Sequence, residues 1–308
     1  MICDCHTHIW TSPDQLGRDA QKYLRRQSGR ENMPADPQTH ATAAECVDKT
    51  LVLGYRSASL NAGVPNELIA RHVAAHSDTM VGVAGIDPLE DGSVETAEEL
   101  LAKDEFRAIT ISPASQHFHP ADSRAMKLYE LADRLKAPIF LHQGTHFRSE
   151  DRMEYARPLL LDEIAREFPS LTIVVASMGH PWVEECIALI GKHERVFAGI
   201  AGLIHRPWQA YNALVLAHQY NVMDKVLFGS DFPYMRAAEA IESVYRLYEV
   251  TQGTNLPSVP REKLRAMVEG NALEQLGIAR ADEHEPPEES EPAPTAEDVE
   301  DDELETPN

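Results

Sequence analysis

Eight short apolar runs rich in β-branched residues recur along the chain with amphipathic stretches between them, and this alternation narrows the choice of fold more than any other feature. The runs are Ile2–Trp10, Thr50–Tyr55, Met80–Ile86, Arg107–Ser112, Pro138–His142, Leu171–Ala176, Val196–Ala201 and Lys225–Gly229. Between them, Asn66–His76, Ser123–Leu135, Leu159–Phe168, Trp182–Lys192, Ala210–Asn221 and Ala237–Tyr248 repeat apolar residues with the 3.6-residue period of helices packed on one face. Eight strand–helix units in about 280 residues predict an α/β fold, a (β/α)8 TIM-like barrel, whose reacting groups sit at the C-terminal ends of the strands. Pro88, Pro113, Gly144, Gly179 and Pro233 punctuate the strand exits.

Two segments stand outside that rhythm. Thr11–Val47 is too long for an ordinary strand-to-helix loop; rich in charge, Pro and Gly, with a short helix expected over Gln15–Arg26, it reads as a lid-like insertion beside the barrel mouth. Residues 281–308 hold thirteen Asp or Glu and no Lys or Arg, so only −9 of the net charge of −22 belongs to the rest of the chain. With five prolines and almost no large apolar residue, that tail cannot offset the entropy of ordering and is expected to be disordered. The expected organisation is therefore a barrel over 1–280 and an acidic tail over 281–308.

Charge and composition also exclude partners. Neither part offers the basic surface that a nucleic-acid backbone demands. No positively charged apolar leader precedes the first run, and the longest apolar runs are too short to cross a bilayer, so a soluble cytoplasmic protein is expected. Cys3, Cys5, Cys46 and Cys186 lack disulfide-framework spacing and fit reduced thiols.

The chain begins Met-Ile-Cys-Asp-Cys-His-Thr-His. In a strand, His6 and His8 share a face, with Asp4 beneath them, while Cys3, Cys5 and Ile9 fall on the opposite, packed face. His142 closes the fifth run and Asp231 follows the eighth, in Phe-Gly-Ser-Asp-Phe-Pro. Three imidazoles and a carboxylate at strand exits of one barrel suit a single divalent transition ion, zinc first, with manganese or iron tolerated, and leave a position for water or substrate. Arg148, His146, His205 and Arg206 follow the fifth and seventh strands, where a cation can grip a substrate carboxylate. His117 and His119 read as a polar loop packed on Phe118 in preference to a second metal site. Trp208 and Tyr211 read as packing residues, and Glu184 and Glu185 as first-turn carboxylates of a helix.

Asp4-Cys-His6-Thr-His8, Val64-Pro-Asn66-Glu67, Gly85-Ile-Asp87-Pro88, His142-Gln-Gly-Thr145, His180-Pro-Trp-Val-Glu184, Arg206-Pro-Trp-Gln209, Phe228-Gly-Ser-Asp231-Phe-Pro233 and Gly270-Asn271-Ala-Leu together resemble the amidohydrolase superfamily, in the branch typified by aminocarboxymuconate-semialdehyde decarboxylase. The resemblance covers about residues 1–280. It implies one metal ion held by His6, His8, His142 and Asp231, and non-oxidative decarboxylation or hydrolysis of a small carboxylated compound, with Asp231 moving a proton.

Two departures bear on that expectation. Where relatives carry His-x-Gly at the sixth strand exit, the family's acid/base histidine, this chain reads Ser177-Met178-Gly179-His180. A hydroxyl at Ser177 holds water or substrate by hydrogen bonding but does not exchange protons near neutrality as imidazole does. His180 is then the candidate replacement acid/base, unless it only begins the following helix. Thr110 stands where relatives often carry lysine, which disfavours a carbamate-bridged binuclear site. Decarboxylation leads, hydrolysis of a lactone, ester or amide is the alternative, and a metal-binding barrel with impaired catalysis is a third reading. A homo-oligomer is compatible with each.

Overall fold

A computed structural model describes residues 1–30, 33–144 and 148–278; the acidic tail, the boundary at 280 and His146 lie outside the described residues. Eight parallel strands form one sheet in the order β1 (Cys3–Thr7), β2 (Lys49–Leu53), β5 (Met80–Gly85), β6 (Phe106–Ile111), β7 (Ile139–Leu141), β8 (Ile173–Val175), β9 (Val196–Gly199) and β10 (Val226–Leu227). Each expected apolar run overlaps one of them, with β2 and β6 beginning one residue before the runs Thr50–Tyr55 and Arg107–Ser112. The seam between first and last strands is closed by backbone bonds from Cys5 N to Phe228 O (3.0 Å), Asp231 N to His6 O (2.9 Å) and His8 N to Phe232 O (2.9 Å). The result is a nearly closed (β/α)8 TIM barrel.

Alternation along the strands sorts side chains into two cores. Cys3, Cys5, Leu51, Leu53, Val83, Ala108, Phe140, Val174, Phe197 and Leu227 fill the barrel interior, with Ala272, Leu273 and Leu276 of α12 (Ala272–Leu276), and Ile278 just beyond it, packed against them. Val52, Ile109, Ile139, Ile173 and Val226 belong to the other core, between barrel and helices. Typical of that layer is α6 (Ser123–Arg134), N-capped by Asp122 and burying Ala125, Leu128, Tyr129, Leu131 and Ala132. Truncating its fully buried Leu128 to Ala removes contacts on every side and costs about 2–5 kcal/mol.

The strand parity expected at the start of the chain is corrected by a bulge. Asp4 pairs with Thr50 and Thr7 with Val52, so β1 carries one residue more than β2 across that interval. The extra residue lets Cys3 and Cys5 line the interior while His6 and His8, above the bulge, also reach the barrel mouth. The Asp4 carboxylate accepts from Ser230 N (2.8 Å) across the seam and from His6 N (3.3 Å) on its own strand.

The insertion is more structured than its sequence suggests. The single expected helix over Gln15–Arg26 is a 3-10 turn, Pro13–Leu16, followed by α1 (Ala20–Ser28). Gly17 divides them with φ +96°, and a Cβ there would lie 3.1 Å from Ala62 Cβ. A further helix, α2 (Pro37–Ala44), starts from Asp36, which caps Thr39 N at 3.0 Å. A hairpin of β3 (Tyr55–Ser57) and β4 (Ala62–Val64) follows β2. Among the described residues no helix is long and apolar enough to cross a membrane.

Candidate metal centre

The bulge on β1 and the exit of β7 bring three imidazoles together. One ring nitrogen from each of His6, His8 and His142 lies within 4.8 Å of the others. Ring centroids stand 4.9 Å apart for His6 and His8, 5.2 Å for His6 and His142, and 5.5 Å for His8 and His142. Asp231 Oδ1 is 3.8 Å from His6 Nε2. Asp231 sits at φ +60°, a left-handed conformation that turns the chain sharply after β10.

This donor set fits a divalent cation. His8 Nδ1 lies 3.2 Å from the Leu53 carbonyl, which can only accept, so the proton belongs on Nδ1 and the neutral ring presents a lone pair at Nε2. That Nε2 is 3.1 Å from His6 Nε2, a separation at which a proton or a cation must lie between two nitrogens. Burial pushes the His8 imidazole down to about 4 against the opposing effect of the Leu53 bond. Burial first, then the neighbouring His8 and His142 rings, holds His6 well below the usual histidine range. Both are thereby kept in the neutral form that ligates metal. Burial, reinforced by the Asp4 carboxylate and opposed by Arg206, pushes Asp231 up to about 8. Burial likewise raises Asp4 to about 6, opposed by its hydrogen bonds with Ser230 and His6.

The triad opens into a cavity of about 170 Å³. At roughly 30 Å³ per water, that is space for a compact small molecule. Arg148, Arg206, Ser177 and His180 line it. Arg148 is held against the rings of Tyr23 (5.0 Å) and Tyr55 (5.9 Å). Arg206 donates to the Gly202 carbonyl at 2.7 Å. His205 is not among the lining residues: its ring is near-parallel to that of Tyr234 (6.2 Å between centroids), and Tyr234 faces the cavity in its place.

At the sixth barrel-strand exit, Ser177 (φ +52°), Met178 (φ +47°) and Gly179 (φ +63°) follow one another in the left-handed region. Two of them carry side chains, so the turn stores strain of about 1 kcal/mol or more per residue. It presents Ser177 to Gly202, where an added Cβ would lie 2.6 Å from Ser177 Oγ and 3.5 Å from Asp231 Oδ2. Ser177 and Asp231 therefore converge on the same bare backbone position. His180 follows the turn, its imidazole pushed below the usual range by burial and by Arg206.

The remaining sequence candidates are placed as follows. Thr110 is buried on β6, its Oγ1 without a hydrogen-bond partner among the described residues. Phe118 is buried and His119 exposed, its Nδ1 accepting from Ala121 N. Among the described residues the only cluster with metal-ligating geometry is His6, His8 and His142. Tyr211 is buried and donates to Pro257 O, whereas Trp208 is exposed and is no core residue. Glu184 and Glu185 lie on the first turn of α8 (Val183–Lys192), and Glu185 pairs with Arg157.

Sequence reading missed several walls of the cavity: Trp10, Leu16, Tyr23, Tyr55, Gln143 and Tyr234. Gln143 is buried, and neither of its amide atoms has a hydrogen-bond partner among the described residues. Tyr55, Gln143 and Tyr234 each follow a strand exit by a few residues, and that position is the signal that marks them.

A parallel barrel that gathers three imidazoles and a carboxylate over its mouth has the architecture of a metal-dependent enzyme. The family model described as Amidohydrolase matches residues 3–278, and the chain belongs to that amidohydrolase family. Among solved structures, an uncharacterised TIM-barrel protein from Bordetella bronchiseptica is similar at 21% identity and TM-score 0.67, over 90% of this chain and 99% of that one. An amidohydrolase from Burkholderia multivorans with bound zinc is similar at 12% identity and TM-score 0.64, over 91% and 100%. A dihydroxybenzoic acid decarboxylase from Polaromonas sp. JS666, with manganese and the inhibitor 2-nitroresorcinol, is similar at 15% identity and TM-score 0.62, over 91% and 98%. No curated protein matches the sequence.

Proposed function

We propose that the chain is a metal-dependent non-oxidative decarboxylase, a carboxy-lyase acting on a small carboxylated compound. The observation that carries this reading is the joining of the imidazole triad and two guanidiniums, Arg148 and Arg206, in one small cavity. His6, His8, His142 and Asp231 would hold the ion, zinc first, with manganese or iron as alternatives. Zinc in the Burkholderia amidohydrolase and manganese in the Polaromonas decarboxylase support a divalent ion. Once bound, it supplies Lewis-acid polarisation of a substrate oxygen.

The chain's own groups do the rest. Arg148 and Arg206 orient the carboxylate, and the tyrosine walls exclude water around it. When the bond to the carboxyl carbon breaks, CO₂ leaves and the electron pair stays on the substrate carbon. That carbon takes a proton that Asp231 passes on from water; holding the ion requires the carboxylate form of Asp231, so its raised value belongs to the metal-free site. His180, on the same cavity wall, stands in for the imidazole that Ser177 replaces, while Ser177 binds substrate or water. The enzyme works in the cytoplasm, in keeping with its free cysteines Cys3, Cys5, Cys46 and Cys186.

Hydrolysis of a lactone, ester or amide is the second reading, favoured by the description of the matching family. It would use Asp231 as a base toward water and then as the acid for the leaving group. Metal analysis of the purified protein, combined with a screen of carboxylated aromatics, dienoates and lactones for CO₂ release and for ring or ester opening, decides between them. About one equivalent of divalent transition metal, lost in His6→Ala and His142→Ala, with CO₂ as product, is the expected result. Full metal occupancy in both variants refutes the ligand assignment, and a metal-loaded protein inert toward every compound supports an impaired barrel.

A further inference from the structure

His40 lies outside the cavity, on α2 of the insertion, and is 1% exposed. Its ring touches the neighbours of three proposed ligands. Nε2 is 2.9 Å from Oγ1 of Thr7, the residue between His6 and His8, and the ring packs edge-on against Phe232, the residue after Asp231, at 5.1 Å.

The hydrogen-bond directions follow from the chemistry of each group. The Leu51 carbonyl can only accept, so the single Thr7 hydroxyl proton lies on the 2.7 Å bond to it. Thr7 Oγ1 must then accept from His40 Nε2–H. Burial keeps that ring neutral, so its Nδ1 is bare and accepts from His72 Nε2–H at 2.9 Å. His72 comes from α3 (Asn66–Ala74), and its carbonyl accepts from His76 Nδ1 at 2.9 Å. The chain of bonds ends on β2 at the point where the β1 bulge breaks the regular ladder. Two side chains bridge the gap there, Thr7 to Leu51 O and His8 Nδ1 to Leu53 O.

We propose that His40, backed by His72, is a positioning residue of the metal centre: it fixes Thr7 and Phe232, and through them the bulged segment of β1 and the turn that carries Asp231. This gives α2 of the insertion a role behind the site as well as beside its mouth. The inference rests on the metal reading of His6, His8, His142 and Asp231.

Zinc affinity, measured by competition with a chromogenic chelator, tests it alongside the melting temperature of the metal-free protein. His40→Leu and Thr7→Val each remove one link and should weaken zinc about 10- to 100-fold, the usual effect of losing a group that orients ligands. His40→Gln keeps a donor and an acceptor and should stay within about threefold of wild type. The double variant His40→Leu/Thr7→Val should bind no more weakly than either single one, because both break the same link. Wild-type affinity in His40→Leu, or equal weakening by Leu and Gln, overturns the proposal. Should His40→Leu fail to fold, the nearly isosteric Thr7→Val probes the link from its other end, and wild-type affinity there overturns it equally. A wild-type protein without zinc affinity overturns the metal reading and this inference with it, whereas tight wild-type binding with unchanged variants overturns this inference alone.

Discussion

Asp231 donates its backbone amide to the carbonyl of His6 at 2.9 Å, and the same two residues bring a carboxylate oxygen and an imidazole nitrogen to 3.8 Å. The bond that closes the barrel seam thus also sets the spacing of two proposed ligands. A change at either residue has to be read for its effect on the seam as well as on the chemistry.

Asp231→Asn separates these effects, since the amide side chain keeps the shape and the backbone bond. Turnover should fall about 10²- to 10⁴-fold, the range for losing a proton-transfer group, while the melting temperature of the metal-free protein changes little. Wild-type turnover in this variant would remove Asp231 from proton transfer.

His180 and Ser177 share the cavity wall at the sixth strand exit. If His180 supplies the missing acid/base, His180→Ala loses activity with metal still bound, and Ser177→Ala is mild. A fully active His180→Ala would leave Asp231 and water as the proton carriers, and Ser177→His then becomes the informative variant.

Gly202 has φ +77° and accepts Arg206 on its carbonyl. Gly202→Ala forces a Cβ to 2.6 Å from Ser177 Oγ in a backbone conformation that side chains disfavour. A stability loss of about 1–3 kcal/mol is expected from these terms, with a fall in turnover because the turn that leads from Ser177 into His180 must move. Denaturant unfolding and steady-state kinetics on one preparation check both. An unchanged kcat would show that the Ser177 position does not matter to the chemistry.

The buried histidines predict acid sensitivity of the metal-free protein. Burial, with like-charge repulsion from His72, His76 and His8, pushes His40 down to about 3, and burial with His76 pushes His72 down to about 4, both from an ordinary value of 6.5. The unfolded chain therefore binds protons below pH 6.5 that the native state refuses. The contribution is complete above that pH and is lost progressively as pH falls toward 4 and below. His40→Gln should flatten the melting temperature against pH across that window. An equally steep profile in the variant would place the sensitivity elsewhere.

The strands were legible because each needs a run of apolar residues to be buried on both faces, and Thr50–Tyr55 or Leu171–Ala176 carries that requirement in its own composition. The imidazole cluster was legible for a related reason: strand exits in a barrel converge, so His6, His8 and His142 meet by position alone. The bulge was not legible. It is a mismatch between β1 and β2, and nothing in Cys-Asp-Cys-His-Thr-His states that Thr7 will face Val52, so strict alternation could not bring the cysteines and the histidines to the interior together. Tyr23 and His40 were hidden by distance along the chain, since only the folded insertion brings one to the cavity and the other behind it.

The seam has a consequence for biosynthesis. Asp231 leaves the ribosome about 225 residues after His6. At roughly 5–20 residues per second the interval is about 10–45 s. Throughout that time Cys3, Cys5, His6 and His8 lack the last strand that packs beside them. The cysteines become core residues, and the carboxylate arrives, only when the last strand docks. For the proposed centre, the carboxylate that completes the ligand set is therefore supplied by barrel closure itself.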